Sequence, residues 1–311
     1  MERRRFIQIW AAAGMGRQAA AQSVDRAASP GRAGSIAPCS LRLRFGVAQF
    51  DHYDPLADIG KLEMWGFDYC EPAVAKVMGL SEGEFQMILK KTLAGRIHVE
   101  AMNSFIPADL KVVGSQVDLP RLRDYLKKAL VRAEALGAKV IVFGSGDART
   151  VPGGFSKRRA WVQLQEFLRM AGDEASRNQY GMVIGIEALR KAESNIVNTS
   201  AEAYQLAVQT NHPKIQIIVD FFHLASERED PAILRQVKDY IVHLHFSDPS
   251  RGQAFPRIES GHPAYLAFFS YLREIGYQGR MSLEANTSDF QTDAPTGLAA
   301  VRKLYADSCA D

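Results

Sequence analysis

Four short runs in the second half of the chain decide how it folds: MVIGIE (182–187), IQIIVD (215–220), IVHLHF (241–246) and RMSLEA (280–285). Each is apolar or β-branched almost throughout, the composition of strands covered on both faces. Longer segments of helical period separate them, so each strand would be followed by a helix that returns the chain to start a parallel neighbour. Toward the N-terminus the same unit recurs at LRFGVAQ (43–49), FDYCE (67–71), IHVEAMN (97–103) and KVIVFG (139–144). Eight βα units in about 270 residues match an α/β chain folded as a single (β/α)8 TIM barrel. A doubly wound dinucleotide-binding sheet is the competitor, but QFDHYDP follows the first strand where a GxGxxG turn would be needed.

The intervening helices carry start and stop signals. Asp118 and Pro120 open one whose apolar positions Leu122, Leu126, Ala129, Ala133 and Leu136 repeat at three and four, with Gly137 as its stop. Ser156 is placed to cap the next, which would bury Trp161, Leu164, Phe167 and Ala171. Thr199 with Glu202 forms a capping box, and Phe268, Leu272 and Ile275 make the apolar stripe of a helix closed by Gly276.

The chain has 311 residues, 47% hydrophobic and 23% charged, which excludes disorder as its main state. Its 38 basic and 35 acidic residues nearly balance, at a net charge of +3, so no field draws it to nucleic acid. Cys39, Cys70 and Cys309 lie too far apart for a CxxC metal pattern and read as free thiols. No run of about 18 apolar residues is present, so no membrane partner is expected. Residues 1–40 differ in kind, being rich in Ala, Arg, Gly and Ser, and read as a leader and linker ahead of a 41–311 catalytic barrel. Arg3-Arg4-Arg5-Phe6-Ile7 resembles a twin-arginine export signal, Ala19-Ala20-Ala21-Gln22 offers a cleavage site, and Arg17 interrupts the apolar stretch between them. A periplasmic or exported location follows from that reading; the alternative is a cytoplasmic protein with an N-terminal extension.

In a barrel of this kind the active site lies at the C-terminal ends of the strands. Strand five ends in Glu187, strand six in Asp220, strand seven in the pair His243 and His245, and strand eight near Glu284. The two histidines share a face, and His245 lies nearer the mouth. Three carboxylates converging there would repel one another, and a divalent cation relieves the repulsion. Oxygen ligands with one nitrogen suit Mn²⁺, Mg²⁺ or Co²⁺ better than zinc. Glu71, Asn103 and the turn Gly144-Ser145-Gly146 also close strands and are expected to face the cavity. His98 starts strand three at the far end and reads as structural, whereas His52 reads as pocket lining.

Residues 43–306 resemble the xylose isomerase-like barrels of the sugar phosphate isomerase/epimerase family, nearest to the D-tagatose/D-psicose 3-epimerase group. The resemblance is carried by IEALRKAESNIVNT (186–199), VDFFHLASERED (219–230), HLHFSDPSRG (243–252) and GYQGRMSLEAN (276–286). It implies that Glu187, Asp220, His245 and Glu284 hold one divalent cation, with Mn²⁺ foremost, and that Glu187 and Glu284 are the catalytic acid/base pair. It further implies that Glu193, His223 and Arg251 bind substrate; Glu71 joins them on strand position alone. The implied reaction is inversion of C3 of a ketose through a metal-bound cis-enediolate. Aldose–ketose isomerisation, dehydration of inososes or dehydroshikimate, carbon–glycoside cleavage, and a non-catalytic sugar-binding subunit remain as alternatives on the same scaffold. The expected partner is a free sugar or sugar-like ketone, and the relatives imply a homodimer or homotetramer. The chain departs from the epimerase pattern at Arg190, where Asn is common, and in the loop PRIESGHPAYLAFF, where Ala264 takes an acidic position.

Overall fold

The computed structural model describes residues 42–50, 52–258 and 264–308. The leader expected over 1–40, together with Cys39 and Cys309, lies outside the described residues.

All strands are parallel: β1 Arg44–Ala48, β2 Tyr69–Glu71, β3 in two pieces (His98–Val99 and Ala101–Met102), β4 Val140–Phe143, β5 Val183–Glu187, β6 Ile215–Asp220, β7 Ile241–Phe246 and β8 Arg280–Leu283. The order around the sheet is β3, β2, β1, β8, β7, β6, β5, β4 and back to β3, so the barrel is closed. The third strand was expected as one run, 97–103, and is broken at Glu100. Its first piece pairs with β2 and its second with β4. The break follows from Glu100 itself, whose carboxylate is held by Arg44 (2.6 Å) and Arg280 (2.6 Å) and whose carbonyl accepts from both Lys139 N and Val140 N.

Alternation along each strand sorts side chains into two layers. Outward residues such as Ile184, Ile186, Ile217, Val219, Leu244, Met281 and Leu283 form the main core against the helices. A smaller core of Tyr69, Ala101, Val140, Val142 and Ile218 fills the barrel interior. Gly46 belongs to this interior, because a Cβ there would fall 2.3 Å from the Tyr69 ring. Above the inner core the strands turn polar, with Glu71, Glu187, Asp220, His243, His245, Ser282 and Glu284 all buried.

The helix signals act largely as read. Asp118 caps Leu119–Leu136 by accepting from Arg121 N, and Gly137 ends it in the left-handed region at φ 91, a pairing worth about 1 kcal/mol for the cap. Ser156 caps Lys157–Arg177. The box at Thr199 is altered: Thr199 accepts from Glu202 N, but the Glu202 carboxylate returns to Asn198 N at 2.6 Å, one residue earlier. Among the described residues no helix is long and apolar enough to cross a membrane.

Candidate metal centre and active site

Register brings the polar strand ends together. Asp220 lies opposite His245, and His245 opposite Ser282, after the β6–β7 register shifts between Ile217 and Ile218. From this arrangement Glu187, Asp220, His245 and Glu284 each present one ligand atom, all within 4.8 Å of one another and all buried. His245 Nδ1 is the hub, at 3.1 Å from Glu187 Oε1, 3.3 Å from Glu284 Oε2 and 3.9 Å from Asp220 Oδ2.

The residues fit a divalent cation on three counts. Asp220 Oδ1 accepts from Phe222 N and His223 N, whereas its buried Oδ2 has no hydrogen-bond partner. An unpartnered buried carboxylate oxygen is costly unless a cation faces it. The donor set, three carboxylates and one imidazole nitrogen, is that of an oxygen-preferring metal. The electrostatics agree: burial, with Glu284 adding to it, pushes the Glu187 carboxyl up to about 7, and burial with Glu187 raises Asp220 well above the usual range. Burial opposes charging His245, but Glu284 and Glu71 outweigh it and raise the imidazole well above its ordinary value. Without a cation, protons take up the compensating role.

A pH dependence follows. A cation must displace the protons held by Glu187, Asp220 and His245, so acid competes with it. Affinity for Mn²⁺ is expected to rise by about tenfold or more between pH 6 and pH 8, since each displaced proton contributes up to tenfold per unit below its pKa. Calorimetric titration at the two pH values measures this, and equal affinities would contradict it.

A cavity of roughly 330 Å³ opens above the cluster. Glu187, Glu284, Glu193 and His223 line it, as do Asn103 and the Gly144-Ser145-Gly146 turn. Arg190 N donates to His223 Nδ1 at 3.3 Å, leaving Nε2 as the protonated nitrogen, 3.9 Å from a Glu193 oxygen. Burial and then the neighbouring His245 hold the His223 imidazole neutral, down to about 3. Asn103 donates to Glu284 Oε1 at 2.8 Å and to Gln49 O at 2.7 Å, which orients the carboxylate. Gly144 faces Glu187 so closely that a Cβ would lie 2.2 Å from its Oε2. Gly144→Ala is therefore expected to displace the end of this side chain while the barrel persists. Turnover should fall on the order of 10²-fold, the cost of a small misplacement at a reacting centre; a steady-state assay with full activity would contradict the placement.

Three expected residues stand elsewhere. Glu71, expected on the cavity wall, is fully buried beneath it, with Oε1 2.9 Å from His245 Nε2 and Oε2 2.8 Å from His243 Nε2. Its two oxygens turn to the imidazoles of β7 and not to the cavity. Arg251 is exposed, its Nη1 donating to Phe255 O at 3.2 Å, and does not line the cavity. Gln253, two residues on, is buried and lines it instead. His52 is exposed and likewise off the wall, and His98 is exposed at the opposite end.

Sequence reading missed Gln253, Ser282 and Arg149. Arg149 is fully buried behind Glu187, donating to Glu187 O at 2.7 Å and Phe143 O at 3.1 Å. Nothing in its short local sequence marks it, whereas Ser282 was accessible from the alternation, two residues before Glu284.

The chain belongs to the xylose isomerase-like TIM barrel family, whose model matches residues 59–305. It is 26% identical over 246 residues to an L-ribulose 3-epimerase of Mesorhizobium japonicum, covering 78% of this chain and 78% of that protein. A 3-dehydro-D-guloside 4-epimerase of Escherichia coli is 31% identical over 122 residues, 39% of this chain and 44% of that one. The solved apo structure of 3-keto-D-glucoside 4-epimerase from E. coli has the same fold, with TM-score 0.70 at 22% identity, covering 84% of this chain and 100% of that one.

Proposed function

We propose that this chain is a divalent-cation-dependent sugar epimerase that inverts C3 of a ketose. The observation that carries the reading is the placement of Glu187, at the end of β5, and Glu284, just past β8, on the wall of one cavity and around one imidazole nitrogen. Glu187, Asp220, His245 and Glu284 would hold the cation, Mn²⁺ fitting the donor set as well as Mg²⁺ or Co²⁺. When bound, such a cation polarises the substrate carbonyl and makes the adjoining C–H acidic enough to remove near neutral pH.

The protein's own groups then divide the work. One of the two glutamates takes the C3 proton from one face of the substrate, and the other returns a proton to the opposite face. The direction of reaction sets which does which. Asn103 fixes Glu284 for that task. His223, neutral and donating through Nε2, and Glu193, an acceptor, suit the hydroxyls of a polyol. Among the described residues lining the cavity there is no Lys or Arg. That favours an uncharged sugar over a phosphorylated one, for which a cationic grip is the usual recognition. A leader that exports the protein, as the N-terminal sequence suggests, would accord with a free sugar as substrate.

The test is to incubate Mn²⁺-loaded protein with a panel of free ketoses, keto-glycosides, aldoses and inososes and to identify products by NMR. A C3 epimer of a ketose is expected. An isomerised or dehydrated product, with no epimer, would move the chemistry to a neighbouring reaction on the same site.

A further inference from the structure

Beneath the metal cluster lies a polar layer that the proposed chemistry does not use. Glu71 is fully buried and accepts from three side chains at once: His245 Nε2 at 2.9 Å to Oε1, and His243 Nε2 at 2.8 Å and Ser282 Oγ at 2.5 Å to Oε2. Tyr69 OH lies 2.9 Å from Ser282 Oγ and donates to it once the Ser282 hydrogen is committed to Glu71. Tyr69 is in turn seated by Gly46, which leaves room for its ring. Every member is buried within the barrel, so the network has no solvent partner to exchange with.

We infer that Glu71 is a positioning residue for the metal site, acting through His245. The inference rests on the cation reading above. An imidazole ligand offers its lone pair from one nitrogen only if the proton sits on the other, and an acceptor at that other nitrogen decides the matter. Glu71 Oε1 is an acceptor at Nε2, and Nδ1 faces Glu187, Asp220 and Glu284. The proton therefore belongs on Nε2 and the ligand atom is Nδ1. His243 and Ser282 keep the Glu71 carboxylate from rotating, because they hold Oε2 while His245 holds Oε1. The ring plane of His245 is fixed by the same contacts, as is its tilt against His243, whose ring stands at 85° to it.

The role is separable from catalysis, since Glu71 touches neither the cavity nor the ligand atoms of the other three residues. Glu71→Gln keeps the shape but removes the charge and replaces one acceptor oxygen by a donor amide, so it can no longer accept from both histidines. Mn²⁺ affinity, measured by calorimetry on metal-stripped protein, is expected to fall about 10- to 100-fold, the range for loss of such outer partners. Ser282→Ala removes one anchor and leaves both histidines bonded; a smaller loss in affinity is expected, and this variant stands in if Glu71→Gln does not fold. Long-range ¹H–¹⁵N NMR of histidine-labelled, Mg²⁺-loaded wild-type protein reads the tautomer directly, with the His245 proton expected on Nε2. Wild-type affinity in the folded Glu71→Gln protein, or a His245 proton on Nδ1 in the loaded wild type, would overturn the inference while leaving the metal site standing. Failure of the wild type to bind Mn²⁺, Mg²⁺ or Co²⁺ would overturn the cation reading and this inference with it.

Discussion

Glu187→Gln and Glu284→Gln are each expected to lower turnover by at least about 10²-fold and up to about 10⁴-fold, the range for a lost general acid or base. Both residues line the cavity and both approach His245 Nδ1, so each substitution also exchanges a carboxylate ligand for a neutral amide. The two effects are separated by calorimetry. A variant that still binds Mn²⁺ but does not turn over has lost proton transfer, whereas one that binds weakly has lost a ligand. The fold should survive, because Gln keeps the shape of Glu and adds no charge to the buried cluster. Retention of more than about a tenth of the wild-type rate by either variant would remove that residue from the acid/base role.

Removing the cation is expected to have an effect of comparable size. Protein stripped with a chelator should be inactive and should recover on addition of Mn²⁺, Mg²⁺ or Co²⁺. It should also melt earlier. A cation present at about 100 times its Kd stabilises the native state by about 2.7 kcal/mol, which for a domain of this size moves Tm by roughly 5 °C. The direction follows from Asp220 Oδ2, which is buried without a partner until a cation faces it. Stripped protein with unchanged activity and melting temperature would contradict a metal-dependent site.

What could be read from the sequence was whatever a period of two or of 3.6 residues encodes. The apolar runs located every strand, and the strand ends located Glu187, Asp220, His245 and Glu284, which the register then brings within 4.8 Å. Glu71 shows the limit of that reasoning. Its place at a strand end was legible, but its burial was not, because that depends on His243 and His245 of a distant strand claiming its two oxygens. Arg251 shows another: spacing after His245 fixes its distance along the chain and not the turn between, where Gly252 and Gln253 both take positive φ and bring Gln253 to the wall. Arg149 left no trace at all. A buried guanidinium bonded to main-chain carbonyls of Phe143 and Glu187 has no local pattern, since its partners lie on two different strands. The broken third strand belongs to the same class, because Glu100, between its two pieces, is held by Arg44 and Arg280 from β1 and β8 while its main chain bridges β2 and β4.

The central claim is that Glu187 and Glu284 move a proton at carbon beside a cation-activated carbonyl, and isotope exchange tests it most directly. Metal-loaded wild-type protein and the Glu284→Gln variant would each be incubated in D₂O with the ketose that the product screen identifies, and deuterium would be followed by NMR. Incorporation at C3 in both epimers with the wild type, and its loss in the variant, is the expected result. Epimer formed without deuterium at C3, or exchange undiminished in Glu284→Gln, would contradict it.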